Sequence, residues 1–202
     1  MQRLTSVLHQ FETYPQIVTG GVPVLNQVIG DYDLLNFNLL LINQTQPSVG
    51  TPCHTAPACA GVLLEGTALA GLLGESSGLA GPGRITAAYQ YSPITAFVPY
   101  SFYYSCVAAD ANGVASVPVS CTITVAGLNS KGQQIYSQQF KYTASGAPVQ
   151  PQVLGYFNQG WSAFPVQTLQ LTVTNNVTTA ALFDNFLATV YGPQNAAVTI
   201  DS

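Results

Sequence analysis

The chain has 202 residues, of which 48% are hydrophobic and only 6% charged, with a net charge of −4. That length suits one well-buried core, read here as a single domain spanning 1–202. Arg3, Arg84, Lys131 and Lys141 are the fixed cations, too few and too scattered to neutralise a row of phosphates or to hold an anionic bilayer, which argues against nucleic acid and membrane as partners.

Low charge does not here mean disorder, because Leu, Val, Ile, Phe and Tyr recur along the whole chain. No cationic, apolar leader precedes Gln2, so Met1 reads as an initiator added to a mature chain. The first strand expected is 4–11. Asp31 and Asp33 then flank Tyr32 just after Gly30, which places two acids on one side of a turn. A second strand is expected over 34–42.

Residues 43–84 break the pattern, since Gln, Pro, Gly and other small residues dominate. They read as a long insertion between strands, with a helix-compatible run at 62–73. Loops of this length in compact domains tend to be functional, or pack over a sheet as an apron. Further strands are expected at 85–91, 101–107, 133–142 and 152–157. Alternation is clearest at 119–125, where Val119, Cys121, Ile123 and Val125 point one way and Ser120, Thr122 and Thr124 the other. It recurs at 169–174 and 182–191. The residues 110–113 and 129–132 have hairpin turn chemistry, Gly132 being suited to a positive φ. About nine strands result, which is the pattern of an all-β antiparallel β-sandwich of jelly-roll type.

Four cysteines fall in two close pairs, Cys53 with Cys59 and Cys106 with Cys121, and sequential disulfides are the favoured pairing. Zinc is the competing reading, but the spacings are not CxxC and only His9 and His54 are available to complete a site. Disulfides imply an oxidising compartment, and the sequons at Asn43 and Asn176 fit a secretory route as glycosylation sites.

Little else in the sequence points to catalysis. His9 and His54 lack the hydroxyl and carboxylate company of a nucleophilic triad. Among the acids, Asp31, Asp33, Glu65 and Glu75 have no spacing that singles out a glycosidase pair, and solvated turn acids are the plainer reading. Asp184 stands apart because it interrupts the apolar run Ala181-Leu182-Phe183-Asp184-Asn185-Phe186. A buried carboxylate there needs a cation or hydrogen-bond donors. Calcium held between Glu12 and Asp184 would staple the two chain ends; the alternative is a carboxylate that faces solvent or accepts backbone hydrogen bonds. The tyrosines 89 and 91 and those within 100–104 are divided by strand alternation between core and surface. Trp161, in the polar setting Asn158-Gln159-Gly160-Trp161-Ser162, is the candidate platform for a sugar ring.

Phe11-Glu12, the stretches 32–37 and 97–103, Ile123-Thr124-Val125-Ala126-Gly127 followed by Gly132, and Leu182-Phe183-Asp184-Asn185-Phe186 together resemble the jelly-roll, galactose-binding-like modules of secreted fungal proteins and carbohydrate-binding modules. The resemblance spans most of the chain and implies a structural calcium at Glu12 and Asp184. The Cys-containing insertion and the single tryptophan depart from that pattern. The function expected is a secreted, non-catalytic cell-wall or surface protein that binds polysaccharide through Trp161, Tyr32, Asp31 and Asp33. A self-associating structural protein is the alternative, since a nearly uncharged surface lacks mutual repulsion, and a glycan-cleaving enzyme is the third reading.

Overall fold

The computed structural model describes residues 2–10, 18–19, 22–23, 28–32, 34–43, 51–55, 58–63, 82–109, 115–174 and 179–193. They form an all-β, antiparallel fold. In chain order the strands are β1 (Gln2–His9), β2 (Val18–Thr19), β3 (Val22–Pro23), β4 (Val28–Tyr32), β5 (Leu35–Asn43), β6 (Ala58–Leu63), β7 (Gly83–Thr86), β8 (Ala96–Ala109), β9 (Ala115–Pro118), β10 (Cys121–Leu128), β11 (Gln134–Tyr142), β12 (Val153–Tyr156), β13 (Thr168–Thr174) and β14 (Thr179–Gly192). Trp161 lies in a single-turn 3₁₀ helix, Gln159–Ser162.

Hydrogen bonding runs β11-β10-β13-β7-β5-β6-β14-β8-β12, with β4 on β5, β1 on β14 and β9 on β8, while β2 and β3 pair apart as a ribbon. The long sheet folds over so that its halves face one another as a β-sandwich. Phe37, Leu39, Ile85, Leu169 and Leu171 of the β5-β7-β13 half share the core with Phe102, Phe183 and Phe186 of the β8-β14 half. β10 shows why the pattern was readable. Its burial alternates residue by residue, because one face meets the core and the other meets water. The turn after it is as expected: Gly132 has φ 72°, and Asn129 Oδ1 accepts from the backbone N–H groups of Lys131 and Gln133.

Three expectations change in detail. The strand expected over 85–91 is β7, which ends at Thr86, and residues 89–92 form a turn. The insertion at 43–84 contains β6, a strand between β5 and β14. Val62 and Leu63 of the helix-compatible run belong to it, and the run from 64 onward lies outside the described residues. The Cys106–Cys121 bridge is formed, but it is more than a hairpin brace. Cys106 is on β8 and Cys121 on β10, in opposite halves, and both belong to the core. Closing a loop of this length contributes about 3 kcal/mol, chiefly by restricting the unfolded chain.

The open side of the sandwich, between β11 and β12, is closed by side chains. Gln138 Nε2 donates to Tyr156 O at 2.8 Å and its Oε1 accepts from Asn158 N at 2.9 Å. Tyr104 Oη donates to Lys141 O at 3.0 Å and Tyr142 Oη to Pro151 O at 3.4 Å. Packing beneath is tight. A Cβ on Gly127 would lie 2.7 Å from Trp161 Cζ3 and 2.8 Å from Val166 Cγ1. Gly127→Ala is therefore expected to cost about 1–3 kcal/mol, read as a lower urea midpoint with an unchanged slope.

Candidate functional site

The outer face of the β14-β8-β12 half is where buried polar groups and exposed rings come together. Directly opposite residues on antiparallel strands share a face, so register defines two rows. One runs Asp184, Tyr103, Leu154 across β14, β8 and β12; the other runs Leu8, Leu187, Ser101, Tyr156 across β1, β14, β8 and β12. Beyond the first row this face is covered. Cys53, Cys59, Val107, Ala180 and Leu182 form a second apolar cluster outside the main core, made by the loop that the Cys53–Cys59 disulfide closes. Of the expected apron, residues 51–55 are described; they lie on this face, and the bridge joins them to Cys59 of β6.

Asp184 anchors that apron. It is fully buried, and Oδ2 accepts from Thr55 N at 2.7 Å and Thr55 Oγ1 at 3.0 Å, while Oδ1 accepts from Asn185 N at 2.8 Å. Three donors offset what a buried carboxylate loses in leaving water. The backbone is bent to allow it: Asn185 has φ 48° and the β14–β8 register shifts between Asp184 and Leu187, a bulge that re-aims side chains. Thr55 Oγ1 also lies 2.9 Å from Asn185 Oδ1. One hydroxyl proton serves one acceptor, so an amide turned to offer its nitrogen completes the chain Asn185, Thr55, Asp184.

These donors also bear on calcium. The burial of Asp184 is accounted for without a cation, Glu12 lies outside the described residues, and among the described residues no group of three or more His, Cys, Asp or Glu side chains converges on a metal position.

At the edge of the apron His54 emerges. Its backbone N–H donates to Gln152 Oε1 at 3.1 Å, and its ring stacks on Tyr103 with centroids 3.4 Å apart and 10° between planes. His54 is exposed. Leu154 and Tyr156 stand beside the stack on the edge strand, 38% and 67% exposed. Tyr156 and Tyr103 are diagonal neighbours across β12 and β8, a separation of roughly 7–8 Å. The result is a shelf of rings and one aliphatic side chain, and the one acid that register places in its row, Asp184, is buried.

The site residues expected from sequence are distributed differently. Trp161 is 1% exposed; Tyr136 stacks on its ring with centroids 5.1 Å apart and Phe157 meets it edge-on at 4.9 Å. It fills the core, so no sugar has access to its face. Tyr32 is half-buried and donates its hydroxyl to Gln10 O at 2.7 Å. Asp31 is exposed on the β4–β5 hairpin and accepts from Asn36 Nδ2 at 2.6 Å. Asp33, Glu65, Glu75 and Asn176 lie outside the described residues, and Asn43 ends β5. His9 is buried among Tyr32, Phe37 and Phe186, and desolvation lowers its pKa from 6.5 to about 3.

Tyr156 and His54 were not singled out as binding residues by the sequence reading. For Tyr103 the signal was present: alternation in β8 sends Phe102 and Tyr104 into the core and Tyr103 outward.

No family profile matches the chain, and no curated protein matches it. Among solved structures it is similar to a DUF4465 family protein from Bacteroides caccae, with a TM-score of 0.52 and 14% identity over 92% of this chain and 99% of that one. Two weaker likenesses are to the CBM22-1–GH10 modules of Clostridium thermocellum endo-1,4-beta-D-xylanase 10B complexed with xylohexaose, and to the CBM22-1 xylan-binding domain of Paenibacillus barcinonensis Xyn10C. The first has a TM-score of 0.37 and 12% identity over 84% of this chain and 28% of that one. The second has a TM-score of 0.35 and 10% identity over 93% and 94%. What the Bacteroides protein shares with this chain is the β-sandwich fold.

Proposed function

We propose that this is a secreted, non-catalytic protein that binds an uncharged polysaccharide on the shelf formed by His54 on Tyr103, Leu154 and Tyr156. The observation that carries the reading is the His54–Tyr103 stack, held by a disulfide-closed loop beside the solvent-facing Tyr156 ring. A pyranose presents an apolar C–H face and a rim of hydroxyls, which such a ring surface with amide neighbours suits. Asp184, in the same row, is buried beneath the loop, so acidic or basic glycans find no counter-charge there. The two disulfides support an oxidising compartment.

Retention on insoluble β-glucan, chitin and mannan tests this. Tyr156→Ala is expected to weaken binding about tenfold, a loss of about 1.4 kcal/mol. Retention of the wild-type chain on none of the three, or equal retention of the variant, sinks the proposal.

One observation favours a second reading. The row Leu8, Leu187, Ser101, Tyr156 is largely apolar, with Leu8 46% exposed, so a second copy of the chain is the competing occupant. Sedimentation of the wild-type chain over a range of concentrations separates the two.

A further inference from the structure

The connection from β7 to β8, residues 87–95, holds a feature that stability does not explain. Residues 89–92 form a turn closed by Ser92 N donating to Tyr89 O at 3.2 Å. Tyr91, its third residue, has φ 64°, a left-handed position where turns take Gly or Asn. A bulky L-residue there is strained. The ring regains nothing by burial, being 92% exposed.

The turn itself is well fixed. Ala88 N donates to Thr86 Oγ1 at 3.0 Å, Ser92 Oγ donates to Ile94 O at 3.0 Å, and Ala87 N donates to Gln167 O at 2.9 Å. A rigid support thus presents an unburied aromatic face in a costly conformation. Strain of this kind concentrates where a side chain is held ready for a ligand.

We propose that Tyr91 is the stacking residue of a second saccharide-binding site, on a different part of the chain from the His54–Tyr156 shelf, with Gln90 and Asp31 supplying polar contacts to sugar hydroxyls. The choice of a sugar rests on the function proposed above. Gln90 and Asp31 are both exposed. Asp31 pairs with Asn36 across β4 and β5, and Asn36 with Thr86 across β5 and β7, which brings Asp31 to the strand end from which this connection leaves. A protein partner is less well suited, because a hot-spot ring needs a surrounding patch that excludes water, and Tyr91 is 92% exposed between Gln90 and Ser92 in the chain.

Tyr91→Asn and Tyr91→Phe test the site. Asn tolerates the left-handed position, so Tyr91→Asn is expected to raise Tm by about 2–4 °C. On whichever of β-glucan, chitin or mannan retains the wild-type chain, the same variant should bind about threefold to tenfold more weakly. Tyr91→Phe keeps ring and strain and should match the wild-type chain in both measurements. A more stable variant that binds less well is a combination that a purely structural residue does not produce. Undiminished retention of Tyr91→Asn while Tyr156→Ala is lost overturns this second site alone. Retention of the wild-type chain on no polysaccharide overturns both sites.

Discussion

Asp184→Ala is expected to cost about 3–5 kcal/mol of folding stability, read as a large fall in the urea midpoint. The fully buried carboxylate accepts from Thr55 N, Thr55 Oγ1 and Asn185 N, and alanine leaves these donors without it in a place that water does not readily reach. Asp184→Asn should not rescue the loss. Whichever way the amide is turned, its NH₂ group faces a backbone N–H, at Thr55 or at Asn185, so one donor meets another. The loop that carries His54 is held by these bonds as well as by its disulfide, so both variants should also bind glycan more weakly. Stability of both variants within about 1 kcal/mol of the wild-type chain would remove Asp184 as the anchor. If calcium contributes here, the wild-type midpoint will rise with added calcium and that of Asp184→Asn will not.

Acid is expected to weaken the fold through His9. Burial lowers its pKa from 6.5 to about 3, so between those values the unfolded chain holds a proton that the folded chain does not. Stability from this residue is complete above pH 6.5 and is lost as the pH falls toward 3. Between pH 7 and pH 4 the loss is about 3 kcal/mol. His9→Leu keeps an apolar side chain among Tyr32, Phe37 and Phe186 and has nothing to protonate. Urea melts of the two proteins at pH 7, 5.5 and 4 check this. Parallel pH profiles would show that His9 is not the acid-sensitive group.

Strands with one wet face, such as β10 and β13, were readable by alternation. β8 and β14, covered on both faces over part of their length, were readable by their long runs of large apolar residues, and the short β6 was not readable. β10 and β13 alternate in sequence because they alternate in burial. β6 reads Ala-Cys-Ala-Gly-Val-Leu with no polar positions. Ala58, Ala60 and Val62 face the main core while Cys59 joins the cluster under the apron, so no alternation remains to be seen. A strand buried on both sides has the composition of any apolar run.

The site was legible in part for a similar reason. Polarity of neighbours in sequence made Trp161 look exposed, yet its 3₁₀ turn swings the indole inward onto Tyr136 and Phe157. For Asp184 the conflict between charge and apolar surroundings was visible in sequence. Its solution, donors from a residue more than a hundred positions away, depends on tertiary contact that no local pattern encodes. The same holds for His54, which becomes a ring platform only because its loop docks on Tyr103.

The side-chain closure between β11 and β12 has a consequence for how such a chain stays apart from its copies. Strand edges are templates for aggregation, and many proteins guard them with lysines. This protein has four cations in 202 residues and little charge to post along its edges. The carbonyls of Tyr156, Lys141 and Pro151 are instead occupied by Gln138, Tyr104 and Tyr142, so an incoming strand would have to displace bonds already made. Protection against fibril growth is thereby assigned to amide and phenol groups, which keep their state across the pH range in which carboxylates and histidines change theirs.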